Sequence, residues 1–112
     1  MQNVNSYQKE ALRTCNSDLN DIERLTNGLM GLSGEAGEAL DILKKHLFQG
    51  HELDCNHIAK ELGDVAWYLA IAADALGYEL SDILKMNVNK LRARYPEGFD
   101  AERSVNRVEG DI

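Results

Sequence analysis

The sequence predicts an all-α fold, a bundle of four to five helices formed by one domain. Three observations support this prediction: Pro96 is the single proline, Ala, Leu, Glu and Lys are frequent while β-branched residues are few, and apolar residues recur at helical spacings. A chain of 112 residues fits one domain and can bury roughly 65% of its unfolded surface. We therefore treat residues 1–112 as a single domain, with a polar tail from about residue 100 that we expect to be partly mobile.

The first two predicted helices follow from their caps and their apolar spacing. The first covers Ser6 to Cys15, with Ser6 as its N-cap. The second runs from about Ile22 to Phe48, with apolar residues, mostly leucines, at intervals of three and four residues. Four glycines recur at every third position inside this helix: Gly28, Gly31, Gly34 and Gly37. Because each costs about 1 kcal/mol relative to Ala in a helix interior, we expect a bend or the close approach of another helix here.

The third and fourth predicted helices end at recognisable stop signals. The third runs from about Asp54 to Leu76, where a glycine follows. Its predicted core stripe consists of Ile58, Leu62, Val65, Leu69 and Leu76, flanked by Ala66, Ala70 and Ala73. The fourth starts after Ser81, a candidate cap, and reaches about Tyr95, because Pro96 prevents its continuation. Such a chain has little core to spare, so an apolar face that one subunit leaves uncovered favours oligomers.

Composition and charge exclude several classes of protein. The net charge is −7 and apolar residues make up 44%, so the chain is neither disordered nor suited to general binding of nucleic acids or anionic membranes. The longest uncharged apolar run, Val65 to Ala73, has nine residues and is too short to span a bilayer. The first six residues lack the basic start and apolar segment of a signal peptide. Cys15 and Cys55 have no metal-ligand spacing, so we predict free thiols and a cytoplasmic protein.

Two pairs of carboxylates carry the main functional signal. Glu35 and Glu38 lie three residues apart on the second predicted helix. Glu61 and Asp64 have the same spacing on the third, and this spacing puts each pair on one helix face. If the two helices pack antiparallel, the carboxylates converge and repel one another unless cations lie between them. Mg²⁺ fits such oxygen ligands, and no histidine accompanies the cluster at the spacing of a di-iron bundle. The alternative is that these are solvated acids of an ordinary helix surface, paired with nearby lysines.

A local excess of basic residues is the second signal. No acid occurs between Ile83 and Pro96, whereas four cations do: Lys85, Lys90, Arg92 and Arg94. These cations could bind phosphates, or they could complement the dipole at the end of a helix. Lys44 and Lys45, near the end of the second predicted helix, leave the same two interpretations open. Asn89 lies mid-helix and could bind a base or sugar or remain a surface residue.

Four runs of sequence together match the pattern of a known family. They are GLSGEAGE from Gly31 to Glu38, KK at 44–45, ELGDVAWYL from Glu61 to Leu69 and NKLRARYPEGF from Asn89 to Phe99. They closely resemble the MazG-like nucleoside triphosphate pyrophosphohydrolases of the all-α NTP pyrophosphatase superfamily. The family pattern is Glu-x-x-Glu followed after a gap by Glu-x-x-Asp, and here 22 residues separate Glu38 from Glu61. The acidic pattern alone is loose, but in combination with the other runs it is specific.

The resemblance implies a fold and an activity. The fold would be the all-α bundle of that superfamily, assembled as a homodimer or homotetramer with sites near subunit contacts. The activity would be hydrolysis of a nucleoside triphosphate between its α and β phosphates, which releases the monophosphate and pyrophosphate. Its role would be housecleaning or trimming of nucleotide pools. The reaction would need Mg²⁺, sometimes replaced by Mn²⁺.

The resemblance also implies which residues act. The metal ligands of the family match four acids, one of which would take the proton of the attacking water: Glu35, Glu38, Glu61 and Asp64. Candidate substrate contacts are Lys90 and Arg94, with Lys44, Lys45 and Asn89 as further candidates. These assignments follow from the match of motifs and not from spacing alone.

Two other functions stay open at this point. A phosphoribosyl-ATP pyrophosphohydrolase of histidine biosynthesis shares the acidic pattern and the bundle, although Trp67 and the RYPEGF run fit the MazG-like branch better. A non-catalytic helical module that binds a nucleotide or a partner would keep the bundle, but it would not need all of the acids. Assays of pyrophosphate release with Mg²⁺ separate these possibilities.

Overall fold

The computed structural model describes residues 3–112, and over that range the chain forms helices and no strands. The helices are α1 (Val4–Leu12), α2 (Asp21–Phe48), α3 (Cys55–Ala75), α4 (Leu80–Arg94) and α5 (Ala101–Val105). The predicted all-α class is confirmed. Among the described residues, none of these helices combines the length and the hydropathy needed to cross a membrane.

α2 and α3 match their predicted bounds to within one residue, because both begin at strong local caps. The side chain of Asn20 accepts a hydrogen bond from the backbone N of Glu23 at 2.8 Å. The side chain of Glu23 in turn accepts from the backbone N of Asn20 at 3.0 Å, which completes a capping box. Asp54 caps α3 by accepting from the backbone N of His57 at 3.0 Å.

α1 begins and ends earlier than predicted. Asn3 is its N-cap, and the Asn3 side chain accepts a hydrogen bond from the backbone N of Ser6 at 2.9 Å. Ser6 therefore lies inside the helix, and Cys15 lies in the loop after Leu12. The predicted cap and bounds were wrong because Asn and Ser cap helices about equally well, and both occur in this short segment.

α4 also begins earlier than predicted, and the tail contains a further short helix. The backbone N of Leu80 donates to Oε1 of Gln8 at 2.8 Å, so Ser81 lies inside the helix instead of capping it. The backbone N–H of Leu80 thus has its acceptor in Gln8, a residue distant in sequence, and not in a nearby capping residue. The local sequence could therefore not predict the start of α4. The tail contains α5, capped by Asp100 through a 2.9 Å hydrogen bond from the backbone N of Glu102. The mobility of the tail stays a prediction.

The chain divides into two compact units, one ending at Leu80 and one from Ser81 to Ile112. The first unit contains α1, α2 and α3, and its core is small. Ala11, Ala70 and Leu80 are buried together, and the indole N–H of Trp67 ties the end of α1 to α3 by donating to the carbonyl of Ala11 at 3.1 Å. The Nε2 amide of Gln8, which is buried, donates to the carbonyl of Ala70 at 3.2 Å. That one domain spans both units stays a prediction.

Glycines set the contact between α2 and α3. A Cβ at Gly28 would lie 2.9 Å from the Cβ of Ala72, and one at Gly31 would overlap the ring of Tyr68. As residue numbers rise along α2, those of the facing residues on α3 fall, so the two helices are antiparallel. Of the two explanations for the glycines, the close approach of another helix therefore applies to Gly28 and Gly31. At Gly34 and Gly37 no atom of the described residues lies within 4 Å of an added Cβ.

The predicted core stripe of α3 is wrong in part. Leu62 and Leu76 are exposed, whereas the buried residues are Ala70, Ile71, Ala72 and Ala73. α2 is similar, because many of its large apolar side chains are exposed: Ile22, Leu29, Met30, Leu40, Leu43, Leu47 and Phe48. Because α3 packs on the glycine-containing face of α2, residues 3–112 leave the leucines turned away from that face exposed.

Candidate functional site

Three acidic side chains converge where α2 faces α3. Glu35, Glu61 and Asp64 each offer one carboxylate oxygen, and these oxygens lie within 4.8 Å of one another. The antiparallel contact explains why, since Gly31 faces Tyr68 and the next turn of α2 brings Glu35 to the preceding turn of α3. Close approach at the glycines thus places acids of two helices at one point. We call these three residues the carboxylate cluster.

Glu38, the fourth predicted ligand, is exposed and is not one of the three residues that converge. Its charge nevertheless acts on the cluster, because it is one of the negative charges that raise the pKa of Glu35. Glu38 follows Glu35 by three residues on α2 and so lies on the same side of the helix. It therefore stays near the cluster without belonging to its tightest group.

The carboxylate cluster is electrostatically strained. A hydrogen bond with the Glu61 carboxyl raises the pKa of Glu35 to about 7, and partial desolvation adds to this shift. The negative charges of Glu61, Asp64 and Glu38 act in the same direction. In the absence of a cation, Glu35 therefore retains its proton at pH values where isolated carboxyls are ionised.

Glu61 shows how well a cation would suit this cluster. Its Oε1 lies 3.2 Å from Nε2 of His57, while its Oε2 is buried and, when Glu35 is ionised, accepts no hydrogen bond from residues 3–112. A buried acceptor without a donor is costly unless something compensates it. The atoms that the cluster offers to a metal ion are all carboxylate oxygens, which hard divalent cations prefer as ligands. The cluster can accordingly hold a metal ion.

Two residues beside the carboxylate cluster had no role in the sequence analysis. His57 is four residues before Glu61, a spacing that puts both side chains on one face of α3. This spacing is the feature of the sequence from which the contact could have been predicted. Tyr7 of α1 is the other, because burial and the charge of Asp64 raise the pKa of its hydroxyl. No local pattern connects Tyr7 with Asp64, since the two residues are on different helices.

Lys44 and Lys45, two of the predicted substrate contacts, form ion pairs on the surface of α2. Their Nζ atoms lie 3.3 Å and 3.0 Å from the carboxylate oxygens of Asp41. Hydrogen bonds from Lys45 and then Lys44 hold the pKa of Asp41 below its ordinary value. These pairs are exposed, so they contribute little to stability and do not prevent either lysine from meeting a ligand.

Arg94, Lys90 and Asn89 belong to the second compact unit. Asn89 and Lys90 are exposed on α4. Arg94 binds Asp111 with a bidentate pair, Nε to Oδ2 at 2.8 Å and Nη2 to Oδ1 at 2.6 Å, and the two side chains are only 9% and 13% exposed. The Arg94 guanidinium holds the pKa of Asp111 below its ordinary value, and the charges of Arg107 and Lys90 add to this effect.

A cavity of about 630 Å³ lies beside this ion pair and is lined by residues that include Asn87, Lys90, Arg94 and Asp111. The sequence analysis missed Asp111 because 17 residues separate it from Arg94 and no motif links them. The basic character of this part of α4 is as predicted, but the tail already supplies one carboxylate to it.

Both predicted free cysteines, Cys15 and Cys55, are free thiols.

Comparisons with known proteins bear on the acidic pairs and on the basic part of α4. The MazG nucleotide pyrophosphohydrolase domain family matches residues 24–99, which include both acidic pairs and the basic part of α4. The Gene 37 protein of Mycobacterium phage L5 is 39% identical over 94 residues, which cover 80% of this chain and 82% of the phage protein. No solved structure matches the chain. Because the family match covers more than half of the chain, with the carboxylate cluster inside it, this protein belongs to the MazG nucleotide pyrophosphohydrolase domain family.

Proposed function

We propose that the protein is an enzyme that hydrolyses a nucleoside triphosphate between its α and β phosphates, with Mg²⁺, to the monophosphate and pyrophosphate. The observation that carries this proposal is the convergence of the carboxylate oxygens of Glu35, Glu61 and Asp64 within 4.8 Å. Membership of the family supports the reaction. The all-carboxylate donor set supports a hard cation, with Mn²⁺ as a possible substitute.

The acids have two roles in this proposal. Glu35, Glu61 and Asp64 would hold the cation, with Glu38 as the fourth acid from the next turn of α2. Bound there, Mg²⁺ would offset the charge of the triphosphate and of the departing pyrophosphate. One of the carboxylates would orient the attacking water and accept its proton. The buried Oε2 of Glu61 supports the fit, because a cation would compensate an acceptor that lacks a donor.

Basic side chains would bind the phosphates. We propose this role for Lys90 and Arg94, and the basic character of α4 and the resemblance of its sequence support it. A phosphate that binds Arg94 would compete with the carboxylate of Asp111, which already occupies the guanidinium. Lys44 and Lys45 are further candidates because their surface pairs with Asp41 are easily broken. Asn89, exposed on α4, is a candidate for contacts with base or sugar.

We also propose that the protein works as a homodimer or homotetramer. The exposed leucines of α2 support a second copy as the partner, because one chain leaves them in water. Sedimentation would report the mass of the assembly against 12.5 kDa for one chain. The net charge of −7 disfavours nucleic acids and anionic membranes as targets, which leaves free nucleotides. We propose that the protein acts on them in the cytoplasm, in housecleaning of the nucleotide pool.

The bond that is cleaved provides the direct test. The purified chain is incubated with Mg²⁺ and a panel of canonical and modified NTPs and dNTPs, with phosphoribosyl-ATP as a separate arm. We expect monophosphate and pyrophosphate, so that a colorimetric phosphate signal stays flat until inorganic pyrophosphatase is added. Asp64→Asn should abolish the signal, while Glu10→Gln, a change in an exposed ion pair of α1, should not.

Three outcomes would contradict this proposal in different ways. Orthophosphate that appears without pyrophosphatase would contradict cleavage between the α and β phosphates. Turnover of phosphoribosyl-ATP alone would favour the enzyme of histidine biosynthesis. No turnover in any arm, with nucleotide binding retained, would favour the non-catalytic module.

A further inference from the structure

His57 lies one helical turn before Glu61 on α3 and contacts it directly. The imidazole Nε2 is 3.2 Å from Oε1 of Glu61. The imidazole is 53% exposed, whereas the Glu61 side chain is only 13% exposed. The contact therefore joins a ring at the protein surface to a carboxylate that is mostly buried.

The two oxygens of Glu61 have different environments. A carboxylate that binds a metal ion is ionised and can only accept hydrogen bonds, so Oε1 of Glu61 receives one when Nε2 of His57 carries the hydrogen. The other oxygen, Oε2, is buried and, when Glu35 is ionised, accepts no hydrogen bond within the part of the chain that the structure describes. The imidazole thus fixes the carboxylate by one oxygen. The same donation is available from neutral imidazole with its hydrogen on Nε2, so the contact does not depend on the charge of His57.

The position of Glu61 needs such support because the neighbouring charges repel it. The carboxylate oxygens of Glu35 and Asp64 lie within 4.8 Å, and without a restraint this repulsion favours rotamers that turn the carboxylate away. A donor on the same helix opposes that rotation. Carboxylates that bind metals are commonly held by hydrogen bonds from outside the metal site, and the loss of such a donor typically weakens binding about 10- to 100-fold.

We infer that His57 is a positioning residue that acts through Glu61, because its Nε2–H holds the Glu61 carboxylate in the orientation that receives the divalent cation. This inference rests on the proposed metal-binding role of Glu61. An ordinary surface pair at this spacing would contribute only to helix stability. The two roles predict different effects on metal affinity.

The test measures Mn²⁺ binding to the full chain without substrate, from the electron paramagnetic resonance signal of the free ion, at one fixed pH for all variants. We expect His57→Ala and His57→Leu to weaken binding about 10- to 100-fold. His57→Gln should recover most of the affinity, because its amide can donate. His51→Ala is the matched control, since it removes an exposed histidine from the loop before α3 and should leave affinity unchanged. In the assay, the His57→Ala variant should need more Mn²⁺ for half-maximal turnover but reach nearly the same kcat at saturating Mn²⁺.

The failures of the inference and of the proposed function are distinguishable. If His57→Ala and His57→Leu bind Mn²⁺ as tightly as the wild type, the inference is wrong, and loss of binding in Glu61→Gln would still support the proposed metal site. If the wild-type chain binds no Mn²⁺, the proposed metal site is wrong and the inference falls with it. A lower melting temperature in EDTA with unchanged Mn²⁺ affinity per folded molecule would reduce His57 to a structural role, which also overturns the inference.

Discussion

Glu35 is the residue at which ionisation of the carboxylate cluster and stability of the protein are coupled. The hydrogen bond with Glu61 is the main reason that its pKa rises from 4.5 to about 7. Between these values the folded chain retains a proton that the unfolded chain releases. The free energy of unfolding therefore falls as the pH rises through this window and levels off above it, whereas below pH 4.5 both states are protonated and the contribution of Glu35 is fully present and no longer changes with pH.

We predict that this coupling is visible in thermal melts of the metal-free protein. In EDTA, the melting temperature of the wild type should decline between about pH 4.5 and about pH 7 more steeply than that of Glu35→Gln, which has no titrating group at this position. Glu10→Gln, an equivalent change in an exposed pair with Arg13, should keep the wild-type slope. Equal slopes for the wild type and Glu35→Gln would show that the pKa of Glu35 is not raised in the folded chain.

Lys90 and Arg94 allow a second test at the scale of single residues. If they bind phosphates, replacing either by Ala should lower kcat/KM by about 10- to 100-fold, since charge-assisted hydrogen bonds are worth about 1.5–3 kcal/mol. Asp111→Asn separates this role from a structural one, because it releases the Arg94 guanidinium without removing the cation. This variant should keep its activity per folded molecule. Full activity in both Lys90→Ala and Arg94→Ala would leave these cations as complements of the helix dipole.

At the scale of helices, the glycines of α2 differ in whether α3 leaves room for a side chain. Gly28 is required because the Cβ of an alanine there would lie 2.9 Å from the Cβ and 3.1 Å from the Cα of Ala72, so α2 and α3 would have to separate. Gly37 is open, with no described atom within 4 Å of an added Cβ. A Gly→Ala substitution is therefore sterically crowded at Gly28 and unhindered at Gly37, although alanine gains the same helix propensity at both positions.

We predict that Gly28→Ala is less stable than Gly37→Ala by about 1–3 kcal/mol, the usual cost of overpacking. Gly37→Ala itself should exceed the wild type by up to about 1 kcal/mol, because alanine favours the helix. Urea denaturation of both variants in EDTA measures the difference. If the two variants have equal stability, α2 and α3 do not approach at Gly28 as closely as described here.

For the molecule as a whole, cation binding and folding should be linked. A cation that binds only the folded chain stabilises it by RT ln(1 + [L]/Kd), or about 2.7 kcal/mol at a hundredfold excess over Kd. We predict that Mg²⁺ raises the melting temperature of the wild type and not that of Asp64→Asn. In EDTA, Asp64→Asn should melt no lower than the wild type, because it removes one of the repelling charges. Its activity should nearly vanish, because a metal ligand is gone.

A structural ion-pair role for Asp64 predicts the reverse pattern. The variant would then melt at a lower temperature in EDTA and keep its activity per folded molecule, and the metal site would have to be abandoned. Glu38→Gln provides the internal comparison, because Glu38 lies outside the three residues that converge. If Glu38→Gln loses less of the stabilisation by Mg²⁺ than Asp64→Asn does, the site has three carboxylate ligands. An equal loss would indicate four.

The sequence alone determined the local features of this protein: the all-α class, the bounds of α2 and α3, and the two acidic pairs. Such features depend on groups within a turn or two of one another, as in the capping box of Asn20 and Glu23. Spacing also sufficed to put Glu61 and Asp64 on one side of α3. Where two local signals competed, as between Asn3 and Ser6 at the start of α1, the prediction was wrong.

Only the tertiary structure decided which faces meet. The leucine spacing of α2 indicates an apolar face, but α3 packs where Gly28 and Gly31 permit close approach, so several of the leucines remain exposed. That choice brings Glu35 to Glu61 and Asp64 and leaves Glu38 outside the tightest group. The pairing of Arg94 with Asp111 was equally invisible in the sequence. The physical reason is that contacts distant along the chain depend on how surfaces fit, and hydrophobic spacing describes only one surface at a time.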